Sequence, residues 1–290
     1  MLYTIKNDAL SVTINDHGAE LWSILSNDGT EYLWQGDPQF WGGRSPNLFP
    51  YIGRMINKQY EYKGIVRPMQ IHGLALYSDF TVTDHSDSSI SFALHSCPES
   101  LKQYPWDFIY AITYTLQDNC LQVSMSVTNL SNETMLFAVG GHPGFRVPLE
   151  EGLQFSDYRL RFHEDTPANR VIFTSDCFTD HLAPYSLAEG NFIPLRHDLF
   201  DNDAIVLQTQ CKTVTLESIR GSKHVTVSFP DMDYIGFWHM PKKECPYICI
   251  EPWSSLPSQK GKKTVWENQA DLLKLAFGKS YNNTWSITIE

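Results

Sequence analysis

The feature that most constrains this chain is alternation of apolar and polar residues with a period of two. Leu121-Gln122-Val123-Ser124-Met125-Ser126-Val127-Thr128 places Leu, Val, Met and Val on one face and polar groups on the other. Val225-Thr226-Val227-Ser228-Phe229, Val12-Thr13-Ile14-Asn15 and the C-terminal Thr284-Trp285-Ser286-Ile287-Thr288-Ile289 repeat the pattern. Successive side chains of a strand point to opposite faces, so such segments read as half-buried antiparallel strands. Asn27-Asp28-Gly29, Asp118-Asn119 and Arg220-Gly221-Ser222 punctuate them as turns. Helical periodicity is scarce: Glu267 to Phe277 reads as one short helix and Cys97 to Leu101 as a single turn opened by Pro98. Many short strands joined by turns imply an all-β fold, a large antiparallel sandwich or a barrel. No linker, low-complexity tract or fixed-period repeat divides the 290 residues, so residues 1–290 are expected to form one domain.

Charge narrows the function. A formal net charge of -11 repels phosphate backbones and anionic membrane surfaces, which argues against nucleic-acid and membrane partners. It argues less strongly against anionic small molecules, because a local cation can override the global field within a Debye length of roughly 8 Å. The N-terminus lacks the basic-then-apolar form of a signal peptide, no apolar run reaches membrane-span length, and the six cysteines include no CxxC pair. A cytoplasmic protein with reduced thiols is expected. The chain carries no GxGxxG after a strand, no GxxxxGK[ST], no GxSxG and no HExxH, which sets aside the motif-bearing nucleotide enzymes, α/β-hydrolases and zinc proteases.

Four segments interrupt apolar strands with polar or conformationally special residues. Asn47-Leu48-Phe49-Pro50-Tyr51-Ile52-Gly53-Arg54 ends in a lone cation, which by itself is as well read as a surface arginine at a strand end. In Gln70-Ile71-His72-Gly73 the glycine permits close backbone approach, and His72 is either a ligand contact or a hydrogen-bonded loop histidine. Val139-Gly140-Gly141-His142-Pro143-Gly144-Phe145 surrounds one histidine with three glycines and a proline at the end of what reads as the longest apolar strand. Tyr247-Ile248-Cys249-Ile250-Glu251-Pro252-Trp253 ends an apolar strand in a carboxylate, with Tyr247, Cys249 and Glu251 on one face. Such a carboxylate is costly to bury unless paired, and the bland alternative is a strand-end glutamate that reaches solvent. Asp198-Leu199-Phe200-Asp201-Asn202-Asp203 offers acceptors for ligand hydroxyls, or is a solvated loop or a weak cation site.

Taken in order, Asn47 to Arg54, Ile71-His72-Gly73, Gly141-His142-Pro143-Gly144-Phe145, Asp203-Ala204-Ile205-Val206 and Cys249-Ile250-Glu251-Pro252-Trp253 resemble the aldose 1-epimerases, and among them the LacX-type bacterial branch. Tyr104-Pro105-Trp106-Asp107-Phe108, Tyr114-Thr115-Leu116 and Val127-Thr128-Asn129 are similar to central strands of that fold. The resemblance runs over nearly the whole chain. It implies a galactose mutarotase-like supersandwich with few short helices and a sugar cleft on one sheet. It further implies that His142 is the acid that protonates the ring oxygen and Glu251 the base at the anomeric hydroxyl. Arg54, His72 and Asp203 would hold sugar hydroxyls, with Trp253, which stands where the galactose-specific branch has Gln, as a further substrate contact.

Opening and reclosing a sugar ring moves protons but no hydride or electron, so neither cofactor nor metal is expected. The expected partner is a small-molecule sugar, with room for a homodimer. Free glutamate titrates near about 4.3 and histidine near about 6.5, so Glu251 is expected ionised at neutral pH and His142 only partly protonated. A carboxylate near His142 would make the imidazolium dominant, and one is therefore expected there. The pair is expected to face each other across a cleft, about a sugar ring apart. Two other functions fit: a hexose-6-phosphate epimerase, which needs a second cation from Arg67, Lys242 or Lys243 beside Arg54, and a non-catalytic carbohydrate-binding protein. A metal site from His72, His142 and Glu251 ranks last, because no two of them have short ligand spacing.

Overall fold

The structure, a computed structural model, describes residues 1–290. Two large antiparallel sheets dominate it. The first has nine strands in the order Phe192–Pro194, Tyr158–Phe162, Thr213–Ser218, Val225–Ser228, Ser280–Ile289, Cys120–Asn129, Phe108–Gln117, Ser89–His95 and Thr81–His85. The second has eight strands. Seven run in the order Thr179–Tyr185, Ala168–Phe173, Ile205–Thr209, Tyr234–Trp238, Tyr247–Trp253, Gly140–Gly141 and Asn47–Leu48, with the strand Gly144–Arg146 also paired to Tyr247–Trp253. A three-stranded sheet of Leu2–Lys6, Leu10–Asn15 and Glu20–Ser26 covers one end of the chain.

The alternation read from the sequence sets which face of the nine-stranded sheet is buried. Leu121, Val123, Met125 and Val127 of one strand, and Trp285 and Ile287 of its neighbour, are sealed from water. They join Ile235, Phe237, Ile248 and Ile250 of the eight-stranded sheet in one core cluster of 72 buried residues, so the two sheets share a single interior. Each fully buried aliphatic side chain there contributes about 1.5–3 kcal/mol. On the opposite face, hydroxyl pairs such as Ser91 with Thr113 and Ser124 with Thr284 link neighbouring strands at 2.8 and 2.9 Å. The turn at Asp118-Asn119 joins two ten-residue strands, with Asp118 at a φ of 52°, as a tight hairpin requires.

Helix is confined to Pro98–Gln103 and five short 3₁₀ turns, and no helix is long and apolar enough to cross a membrane. The helix expected over Glu267 to Phe277 is not formed. Trp266–Asn268 makes one 3₁₀ turn, and Leu273–Leu275 pairs as a strand with Met135–Phe137. Fully buried Trp266 stacks on Tyr60 at 4.1 Å between ring centroids, and this tertiary anchoring overrides the local helical pattern. The long apolar strand expected to lead into His142 is also divided, into Met135–Phe137 and the two-residue strand Gly140–Gly141.

Candidate active site

His142 and Glu251 are brought together by the middle of the eight-stranded sheet. Gly140 pairs with Trp253 in register, and the amide of Ile250 donates to the Pro143 carbonyl at 3.1 Å, so the glycine segment is laced along the strand that carries Glu251. Gly141 must be a glycine here. A β-carbon on it would lie 2.6 Å from Cζ2 of Trp285, which rises from the opposite sheet. The strand Tyr247–Trp253 is buried on both faces. Ile248 and Ile250 enter the main core, whereas Tyr247 and Cys249 pack with Trp34 in a second cluster bordered by Trp41 and Trp238. Glu251 points to that second side, as the alternation requires.

Arg54, His72, His142, Asp203, Glu251 and Trp253 all line one cleft of about 360 Å³. A larger depression of about 710 Å³ lies beside it, walled by Lys260, Lys262, Lys263 and polar residues of neighbouring loops. The smaller cleft is the one with buried, unpartnered polar atoms. His142 is 8% exposed and Glu251 2% exposed. Nε2 of His142 is 3.2 Å from Oε2 of Glu251. Neither Oε2 of Glu251, Nδ1 of His142 nor Nε1 of Trp253 has a hydrogen-bond partner in the protein. Buried polar groups are normally satisfied, so these three atoms give the cleft hydrogen-bonding capacity that a polar ligand can fill.

The pair therefore touches, rather than standing a sugar ring apart. The expected carboxylate beside His142 is present, and it is Glu251 itself, but the protonation follows burial instead of charge pairing. Desolvation lowers the His142 pKa to about 4, outweighing the nearby Asp203 charge. The same desolvation raises Glu251 well above the ordinary carboxylate range, with Asp203 adding to it. Burial thus disfavours the charged form of each group, the reverse of the direction expected from charge pairing in the sequence.

At the other end, His72 has a φ of 62° and is locked to Gly53 by two hydrogen bonds. Its amide donates to the Gly53 carbonyl at 3.0 Å, and its Nδ1 accepts from the Gly53 amide at 3.1 Å. An accepting Nδ1 leaves the neutral ring's proton on Nε2, free to donate. Burial and the neighbouring His142 keep the His72 pKa well below its ordinary value. Gly73 sits at a φ of 86°, with space for no β-carbon beside the Phe49 carbonyl. Arg54 Nη1 donates to Oδ2 of Asp203 at 3.2 Å. Of the remaining aspartates in the acidic turn, Asp198 pairs with Arg196 at the surface and does not line the cleft.

Aromatic rings complete the walls. Trp41 leans over His142 at 5.0 Å between centroids, and Trp238 meets it edge-on at 5.8 Å. Phe173, Tyr77 and Cys177 also line the cleft. None of these was singled out by the sequence. The surplus of 13% aromatic residues was the available hint for the rings, and Cys177 carried none. The metal grouping is different from the expected one: the ligating atoms of His142, Cys249 and Glu251, without His72, lie within 4.8 Å of one another. Burial, with the Glu251 charge adding to it, pushes the Cys249 thiol well above its ordinary pKa. Arg67, Lys242 and Lys243 do not line the cleft, so the second cation expected for a phosphate is not supplied by them. Arg67 instead donates to the carbonyls of Tyr62 and Ile65.

The sequence profile of the aldose 1-epimerases matches residues 1–288. The chain belongs to the aldose 1-epimerase family. Within the family it is similar to the plasmid-borne protein LacX of Lactococcus lactis subsp. lactis, with 31% identity over 304 aligned positions covering 100% of this chain and 99% of LacX. A galactose mutarotase related enzyme from Lactobacillus acidophilus superimposes with a TM-score of 0.93 at 35% identity, covering 100% of this chain and 97% of that one. A galactose mutarotase-like protein from Lactobacillus casei ATCC 334 does so with a TM-score of 0.94 at 34% identity, over the whole of both chains. The all-β supersandwich expected from the sequence is thus the fold of this family.

Proposed function

We infer that the chain is an aldose 1-epimerase that interconverts the α and β anomers of an unphosphorylated hexose by acid–base ring opening and closure. The observation that carries this reading is the buried His142–Glu251 contact, with its unpartnered Nδ1 and Oε2 in a cleft of sugar size.

Anomerisation needs a base to take the O1 proton and an acid to give one to the ring oxygen O5. Breaking the C1–O5 bond then yields the open-chain aldehyde. Half a turn about C1–C2 presents the other carbonyl face, and the proton transfers run backward as the ring closes. O1 and O5 are both bonded to C1, so the acid and base that serve them must be near neighbours. A separation of 3.2 Å suits that requirement better than two groups on opposite sides of a ring. The sugar then lies across the pair, not between its members.

One proton on the pair is enough for the cycle. The opposed burial shifts of the two groups favour starting with it on Glu251. Sugar hydroxyls entering beside the unsatisfied atoms restore some of the lost solvation and favour the ionised arrangement, His142 protonated and Glu251 a carboxylate. In that form Glu251 takes the O1 proton and His142 supplies the O5 proton, each contributing about 10²–10⁴-fold. His72 Nε2, Arg54, Asp203 and the Trp253 indole N–H hold hydroxyls, while Trp41 leans over His142 and Trp238 meets it edge-on. Arg54 is the one cation that lines the cleft, and it already gives an N–H to Asp203, which disfavours a phosphorylated substrate. Two-dimensional NMR exchange between the anomers of glucose, galactose and their 6-phosphates tests the reading. Faster exchange of a free hexose than of its phosphate is expected, and exchange no faster than the uncatalysed rate for every sugar would sink it.

A further inference from the structure

Cys177 lies on the wall of the cleft, in the turn between the strands Ala168–Phe173 and Thr179–Tyr185, which form the edge hairpin of the eight-stranded sheet. Its φ of 62° belongs to the left-handed region that residues with a β-carbon seldom enter. The turn is closed by the Cys177 amide donating to the Thr174 carbonyl at 2.9 Å. From this position the Cys177 thiol donates to Oδ2 of Asp203. Burial, and then that hydrogen bond, raise the thiol pKa to about 11, so the donor proton is present throughout the neutral range.

Asp203 is thereby held by three donors. Oδ1 accepts the Ala204 amide at 3.0 Å, and Oδ2 accepts both Arg54 Nη1 at 3.2 Å and the thiol. A carboxylate has about four lone-pair positions. The clamp leaves one open, on Oδ1, and an acceptor with one vacancy is suited to one donor. The same cleft holds the buried, unpartnered atoms of His142 and Glu251, which independently mark it as a place where a polar ligand sits.

We propose that Cys177 is a positioning and specificity-determining residue: its thiol completes the clamp that presents Asp203 to a single uncharged sugar hydroxyl, so that the cleft accepts neutral aldoses carrying that hydroxyl and turns away their deoxy and phosphorylated analogues. This rests on the epimerase reading above. A hydroxyl at that point donates to Oδ1 and satisfies it. A deoxy sugar cannot make that hydrogen bond, and a site that hydrogen-bonds a substrate hydroxyl discriminates against the analogue lacking it. A phosphate brings its negative charge against the Asp203 carboxylate in a cleft lined by one cation, Arg54. Without the thiol, Oδ2 loses a donor, the carboxylate is freer to rotate, and the vacancy no longer faces one fixed direction.

The test compares wild type, Cys177→Ala and Cys177→Ser on glucose and galactose, their monodeoxy derivatives and their 6-phosphates. NMR exchange separates KM from kcat, and thermal melting monitors the fold. For Cys177→Ala the KM of the preferred hexose is expected to rise about tenfold with kcat within about twofold, as for the loss of uniform binding. Discrimination against one monodeoxy derivative is expected to fall by a similar factor, and Cys177→Ser is expected to restore most of both. An unchanged KM, or a KM that rises equally for the hexose and every deoxy derivative, overturns the proposal, because a merely structural role moves all substrates together. If wild type accelerates no sugar, the epimerase reading fails instead. The same ratios are then read from equilibrium dissociation constants, where equal affinity of wild type for the hexoses and all their deoxy derivatives also overturns it.

Discussion

Replacing Glu251 with glutamine tests whether the buried pair holds a single proton across the mildly acidic range. In the folded protein burial lowers His142 from 6.5 to about 4 and lifts Glu251 well above 4.5. In the unfolded chain the order is reversed: between about pH 4.5 and 6.5 the histidine is protonated and the glutamate is not. Folded and unfolded states then bind equal numbers of protons at these two positions, and the pair adds no slope to stability in that window. Below it, stability falls as pH drops toward the folded histidine's pKa. Above it, stability falls as pH rises toward the folded glutamate's. Glutamine deletes the glutamate's share and leaves a histidine that is neutral when folded and cationic when unfolded. The unfolded variant now binds more protons, so its stability rises with pH through the window, by about 1.4 kcal/mol per pH unit where the separation is complete. Relative to wild type, the gain is about 2–3 kcal/mol between pH 4.5 and 6.5. Urea denaturation at closely spaced pH values measures it, and taking the difference between the two proteins cancels the other titrating groups. A difference curve flat to within about 0.5 kcal/mol, the usual scatter of additive effects, refutes the single-proton pair.

Four further outcomes are expected. His142→Asn and Glu251→Gln each lower kcat/KM by about 10²-fold or more while melting within a few degrees of wild type, as read by NMR exchange and circular dichroism. Gly141→Ala drives a methyl group against Trp285 and costs about 1–3 kcal/mol in urea denaturation, with reduced kcat because His142 follows in the chain. Trp41→Ala admits water to His142, relieves the desolvation that depresses it, and shifts the acid limb of the activity profile to higher pH. Asp203→Asn removes the charge paired with Arg54 and raises KM more than it lowers kcat, measured in the same exchange assay.

The strands were legible because a half-buried sheet must alternate: Leu121 to Thr128 lies within the strand Cys120–Asn129, and Thr284 to Ile289 within Ser280–Ile289. Pattern failed where tertiary contacts decide. The run after Trp266 has polar residues at helical spacing, yet its ring is stacked between Tyr60 and Trp106 and the chain beyond it is drawn into a two-stranded sheet. The residue types at the site were equally visible, since a histidine among glycines and a carboxylate ending an apolar strand are each unusual by local chemistry.

What could not be read was distance and enclosure. A charge argument made from the sequence placed a carboxylate near His142 and inferred an imidazolium. The neighbour is there, 3.2 Å away, but the inference reverses because the same folding that supplies it also removes the water from both groups. Coulomb attraction favours the ion pair and desolvation favours the neutral pair, and with His142 at 8% exposure and Glu251 at 2% desolvation is the larger cause at both groups. Trp41 and Trp238, isolated tryptophans with no motif around them, are part of what excludes that water. A ligand whose hydroxyls return polar contacts to the pair moves the balance back toward the charged form. The aromatic walls, by keeping water from His142, thus help set the balance between the neutral and charged forms of the pair.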